Sequence, residues 1–364
     1  MYQTYLRLIL CIILIAIVNV PVQASTIWYY VDTGASGTNI GGRNGTDPND
    51  PSDEDNWTNA FTSGMAAEDA LDGTFPAGHT CGLYFRSSDG SDDISQLYLY
   101  GWTNNPPIIL DQYDFPVDGI PDPNKYNLKV TDATNLWVRQ SNVTINRLQI
   151  FPQASTVPAT GIFINDSLTG ISINKCLIIG TVNGSYNVYG IQAASASDII
   201  NCIITGFNYD FKSYGVYSSA NTNLFNCTLF DNFYGVRAVT GTLTMRNTAI
   251  GNCSDDVYSS GTYDMDYMVT DDDESANCAN YHAFPTNGTG DWSLDFNNAA
   301  SLDFSLKATA ANLINHATTA SAPADDIIDT IRPQGASDDI SAFELPVSTS
   351  APTVKPRITF INMY

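Results

Sequence analysis

"YGVYSSANTNLFNCTLFDNFYGVRAVTG" occupies residues 214–241, and within it Tyr-Gly-Val occurs twice, 20 residues apart, with Asn-Cys between. Moving outward, Gly190-Ile191 and Gly161-Ile162 repeat the pattern upstream, so Gly161, Gly190, Gly215 and Gly235 head one column. A second column holds Leu148, Cys176, Cys202, Cys227 and Asn247. Each unit reads as a Gly-led strand, a turn of Ser, Ala, Asn and Thr, and a second strand such as "ISINKCLII", "DIINCIIT" or "NLFNCTLF". Units of about 20–30 residues built from short strands and polar turns mark a solenoid. One such unit has almost no core, so it is stable only when stacked on its neighbours about 4.8 Å away. The expected fold is all-β, a parallel β-helix. Ile162, Ile191, Val216 and Val236 form one inward ladder, and Cys176, Cys202 and Cys227 form another.

Parallel stacked side chains have the wrong torsion for a disulfide, and three cysteines in a row cannot all pair. The Cys column therefore reads as buried free thiols acting as small apolar fillers. Cys253 and Cys278, which flank a polar excursion, are the candidates for a disulfide, and Cys81 has no evident partner.

The chain opens with Arg7, an apolar run from Leu8 to Val18 and then Val22-Gln23-Ala24, the pattern of a secretory signal peptide over residues 1–24. That run is shorter than the roughly 20 residues a spanning helix needs, so no membrane span is expected and Cys11 leaves with the leader. The chain carries 38 acidic against 15 basic residues, a net charge of −23. Loss of Arg7 makes that −24. Such a field excludes nucleic acid and anionic membranes as partners, and it repels acidic polysaccharides unless a cation bridges them.

Around the repeat, residues 25–105 read as a lead-in and cap, 106–255 as the coils and 256–299 as an irregular acidic loop or distorted coil. Residues 300–345 read as final coils and a closing segment, and 346–364 as a tail. The lead-in "WYYVDTGASGTNIGGRNGTDPNDP" followed by "NWTNAFTS", and the end, "LDFSLKATAANLINHA" then "DIIDTIRPQGASDDISAFE", carry a resemblance. They resemble secreted right-handed parallel β-helix proteins of the pectate-lyase-like superfold, bacterial cell-surface type. The resemblance implies a right-handed coil, a Tyr-Val strand, a capping helix, and a closing segment with Asp-Phe-x-Leu, Arg-Pro and a final Asp-Ile-Gly-Ala-Phe-Glu. Thr330 and Ser341 stand where that family has Gly, and Ala317 replaces another. The family often carries a cell-wall anchor after the closing segment; "PVSTSAPTVKPRITFINMY" has none, which favours release or non-covalent attachment.

Such folds host lyases, hydrolases and adhesins alike, so function rests on residues. The aspartate motifs of a pectin-type hydrolase do not occur in order, and the pairs Asp92-Asp93, Asp255-Asp256 and Asp325-Asp326 lie outside the coils. His79, His282 and His316 are too scattered for a metal pair or relay. A lyase of this superfold needs a Lys or Arg base beside a Ca²⁺ site, and Ca²⁺ needs six to eight oxygens. Two acid clusters could serve Ca²⁺, the one cofactor considered: Asp47, Asp50, Asp53, Glu54 and Asp55, and Asp264, Asp266, Asp271, Asp272, Asp273 and Glu274. "DFPVDGIPD" (114–122) is a single weak copy of a Ca²⁺-repeat pattern.

Strand parity gives the binding residues. If Ile162, Ile191, Val216 and Val236 point inward, then Phe163, Gln192, Tyr217 and Arg237 point outward in one column, a strip on which sugar rings stack and hydroxyls find partners. Among the coil cations Lys175, Lys212, Arg237 and Arg246, Arg237 is the candidate for an anionic ligand group. The tyrosines at 189, 214 and 234 read as turn-stacking residues rather than ligands. The expected partner is an extracellular or cell-surface polysaccharide, with lyase chemistry as the form an activity would take. The alternative is a non-catalytic structural or adhesin-like rod.

Overall fold

The computed structural model describes residues 25–35, 52, 57–58, 60–73, 75–102, 104–182, 187–209, 211–258, 261–272, 274, 278, 280–283 and 292–346. The leader 1–24, the first acid cluster, Asp273 and the tail beyond 346 lie outside them. The chain is a right-handed parallel β-helix with three parallel sheets of nine, seven and seven strands among the described residues. The first sheet runs from Thr26–Asp32 to Thr262–Asp266, the second from Gln149–Ile150 to Tyr281–Ala283, and the third from Leu97–Leu99 to Asp255–Val257. One coil passes from the third sheet (Val188–Ala193) to the first (Ser197–Ile200), to the second (Ile203–Thr205), and back to the third (Ser213–Ser218). Among the described residues no helix is long and apolar enough to cross a membrane.

The inward ladder is as the repeat requires. Ile162 pairs in register with Ile191, Ile191 with Val216 and Val216 with Val236, and Leu136 and Val257 extend the column at its ends. None of these is more than 4 % exposed, so the column is core throughout. Gly recurs as the second or third residue of each of these strands for a steric reason: a Cβ on Gly190 would lie 2.5 Å from the carbonyl oxygen of Gly215, and Gly161, Gly215 and Gly235 face the next coil in the same way. Cys176, Cys202 and Cys227 stack fully buried and unpaired, each thiol directed at a carbonyl of the preceding coil.

Asn247 does not continue that thiol column. Thr228 pairs with Ala249, which stacks Thr248 on Cys227 and Asn247 on Asn226. The slip arises in the turn before, where Gly241 at φ 74° adds a residue that the Gly-led spacing does not reveal. Asn201, Asn226 and Asn247 instead form the corner between the first and second sheets, each near φ 52–54°, a left-handed conformation that Asn tolerates better than most residues.

At the N-terminal end the Tyr-Val strand Thr26–Asp32 leads to a helix, Gly64–Leu71, capped by Ser63, whose hydroxyl accepts the Ala66 amide. Its Ala67 and Leu71 join the same core as the coils. At the other end, the stretch read as an acidic loop or distorted coil proves to be a coil over 255–270: Asp255–Val257, Thr262–Asp266 and Met268–Thr270 continue the three sheets in register. Cys253 and Cys278 are both free thiols, so the expected disulfide is not formed.

Residues 300–345 differ from expectation, because they add no strand to the stacked sheets. They fold back along the outside of the second sheet, where Phe304, Leu313, Ile327, Ile340 and Phe343 pack on Leu177, Ile203, Phe230 and Val269. Corner residues hold this segment: Lys175 pairs with Asp325 and Asp329, Asn201 donates to the Asp325 carbonyl, Asn226 to that of Asp339 and Asn247 to that of Thr318. Inside it, Arg332 and Glu344 form a buried pair 3.0 Å apart, and Ser341, where the resembled family has Gly, has φ 146°.

Candidate functional site

The outer face of the third sheet carries the predicted strip. Phe163 is the in-register neighbour of Gln192, Gln192 of Tyr217 and Tyr217 of Arg237, and all four are half-buried. The strip is longer than parity alone suggested. Trp137 pairs with Phe163 and Tyr98 with Trp137, so six coils, separated by five steps of roughly 4.8 Å or about 24 Å in all, present one continuous column. Ring centroids of Tyr98, Trp137 and Phe163 follow one another at 5.4 Å, and Arg139 lies over Tyr100 and Trp137.

Strict alternation would have sent the tyrosines before each Gly into a different environment. Instead, residues on both sides of the Gly-apolar pair line one cleft, Tyr189, Tyr214 and Tyr234 before it and Tyr217 and Arg237 after it. Tyr189, Tyr214 and Tyr234 stack on one another as expected, with centroids 5.6 and 5.0 Å apart. They also stand beside the strip, Tyr214 meeting Tyr217 edge-on at 5.4 Å. With Asn187, Phe211, Lys212, Arg237 and Tyr258 they line a cleft of about 400 Å³. Parity missed this wall; the recurrence of Tyr before Gly was its only signal.

Arg237 is the centre of the cleft. Its guanidinium lies near the rings of Tyr214, Tyr217 and Tyr258 and donates from Nη1 to the Tyr214 hydroxyl at 2.7 Å, while its Nε has no partner. Desolvation pulls its pKa down, but the Tyr214 bond and the surrounding phenols together hold it above the ordinary value. Burial, and then neighbouring phenols, pushes Tyr189 and Tyr234 up. Lys212, over the ring of the exposed Phe211, is the second cation. The other two coil cations are engaged elsewhere, Lys175 with the closing segment and Arg246 with Asp264.

The acids do not assemble with the strip. Among the described residues no group of three or more His, Cys, Asp or Glu is placed to hold a metal ion. Asp256 is fully buried, its carboxylate accepts from the Asp271 amide and its own amide donates to the Asp272 carboxylate, and burial followed by Asp271 pushes its carboxyl up. Asp264 pairs with Arg246, and Asp266 accepts from Asn280. In "DFPVDGIPD", Asp114 accepts from the Ser87 and Tyr126 amides, Asp118 from Ile120 and Asp122 from Asn124, so these carboxylates hold turns. Asp93 and Asp326 likewise bind backbone amides, of Gly64 and of Ile328, Thr330 and Glu344. The fold-back does bring His282 and His316 together, with ring centroids at 4.4 Å, which sequence separation hid.

A larger cleft, about 490 Å³, lies between the closing segment and the second sheet. Its Phe230, Trp292 and Phe296 are themselves core residues, so they offer little ring face to a ligand. Compared with known proteins, the chain matches no family model, and no curated protein or solved structure matches it.

Proposed function

We propose that the chain is a secreted β-helix protein of the pectate-lyase-like superfold that binds extracellular or cell-surface polysaccharide along the outer face of its third sheet. The observation that carries this reading is the column Tyr98, Trp137, Phe163, Gln192, Tyr217 and Arg237, an aromatic and hydrogen-bonding track on a rigid sheet. Sugar rings present flat apolar faces ringed by hydroxyls, and such a track matches both. The leader over 1–24 supports secretion.

A glycan array with the wild type and Trp137→Ala tests the proposal: binding that Trp137→Ala weakens supports it, and a chain that binds no glycan defeats it. The structural rod is then the remaining account, and the closing segment that braces the coils from Lys175 to Asn247 favours it.

A further inference from the structure

We infer that the cleft at the C-terminal half of the strip reads an anionic substituent on the glycan, a carboxylate or sulfate, directly and without a bridging metal. The inference rests on the polysaccharide reading and names the ligand class for it. Overall charge argues the other way, since a chain at −23 should repel polyanions unless Ca²⁺ intervenes. Local structure reverses that expectation. The cleft is lined by Lys212 and Arg237 with five tyrosines and no carboxylate, and among the described residues neither cation has an acidic partner. A guanidinium packed among rings rather than paired with a carboxylate keeps its charge available to an oxyanion, although its unpartnered Nε is itself buried. Repulsion from distant acids is screened over about 8–10 Å in ordinary buffers, whereas a group seated in the cleft meets the two cations inside that range. Asp255, in register with Tyr234 on the last strand, borders the cleft without lining it and limits how far a charged chain extends in that direction.

The test compares polymers that differ chiefly in charge, polygalacturonate against its methyl ester and dextran sulfate against dextran, by titration calorimetry in EDTA. The expected result is binding of the charged member of at least one pair about tenfold tighter than its neutral counterpart. Lys212→Gln should remove most of that preference while leaving the neutral polymer's affinity in place, and Arg237→Gln, whose residue also belongs to the strip, should remove it with some loss of neutral affinity as well. Lys212 is exposed, so Lys212→Gln keeps the test decisive if Arg237→Gln fails to fold. A preference that disappears in EDTA and returns with Ca²⁺ overturns the inference, as does equal or tighter binding of the neutral members; both leave the polysaccharide reading standing. Binding of none of the four polymers removes both.

Discussion

The second and third sheets stand on the same coils, yet their outer faces are built differently. Outward residues of the second sheet are Leu177, Ile179, Ile203, Phe230, Ala249 and Val269, none more than 7 % exposed, because residues 292–346 lie across them. Those of the third are Trp137, Phe163, Gln192, Tyr217 and Arg237, half-buried and outside the cluster that the closing segment forms. An aliphatic face is stable only under a permanent cover. Aromatic rings with hydroxyl, amide and guanidinium groups tolerate water on one side, which suits a partner that comes and goes. The difference separates a face made for the fold from a face available for recognition.

The largest expected effect abolishes both faces together. Val216 lies directly behind Tyr217 in the inward ladder and is fully buried, so Val216→Asp places an unpaired carboxylate between Ile191 and Val236. A loss of several kcal/mol is expected, a large part of a domain's usual margin of about 5–15. Thermal unfolding close to wild type would show that the two faces do not share this core. Next in size, Arg332→Met should affect only the covered face. It strips Glu344 of its partner in a buried pair, a change worth about 3–5 kcal/mol. Limited proteolysis should then cut within 300–345 and dye binding should report the bared second sheet, while glycan binding stays. Loss of binding in step with the cover would mean that the faces are coupled.

Smaller effects belong to the open face. Tyr217→Ala should weaken glycan binding by about 1 kcal/mol or more and leave the melting temperature within a degree or two of wild type, because the ring packs on tyrosines rather than in the core. A destabilisation as large as the binding loss would reassign the column as structural packing.

How much of this was legible in the sequence follows from what repeats. Stacked coils need like residues at like places, so the inward ladder, the thiol column and the strip could be read from Gly-apolar spacing before any coordinates. Legibility failed where the repeat changes length or ends. Gly241 adds one residue to a turn, and counting from the Gly column then set Asn247 where Thr248 belongs. Parity assumed unbroken alternation and so hid that Tyr189, Tyr214 and Tyr234 line one cleft with Tyr217 and Arg237. The closing segment has no periodicity at all. Its place on the second sheet depends on long-range contacts such as the Ala342 amide with Thr228 Oγ1, and the meeting of His282 with His316 depends on the same fold-back.

The smallest expected effect is a difference in pH response between the faces. Burial pushes the Asp326, Asp338, Asp339 and Glu344 carboxyls up, all within the closing segment. Protonating Glu344 weakens its pair with Arg332, but its raised value means that desolvation outweighs the pair. An acid whose folded pKa lies above the unfolded value of about 4 binds more protons when folded, so its contribution to stability is full near pH 4 and falls as pH rises through the raised values. The cover should therefore open more readily at about pH 8 than at about pH 4, seen as faster hydrogen exchange in 313–345 after correction for intrinsic rates. The open face should not follow, since Tyr189, Tyr234 and Arg237 titrate well above that range and a neutral glycan brings no charge of its own. Binding of a neutral glycan that changes with the same profile as the exchange would show that opening of the cover reaches across the coils, and that the two faces are one cooperative unit.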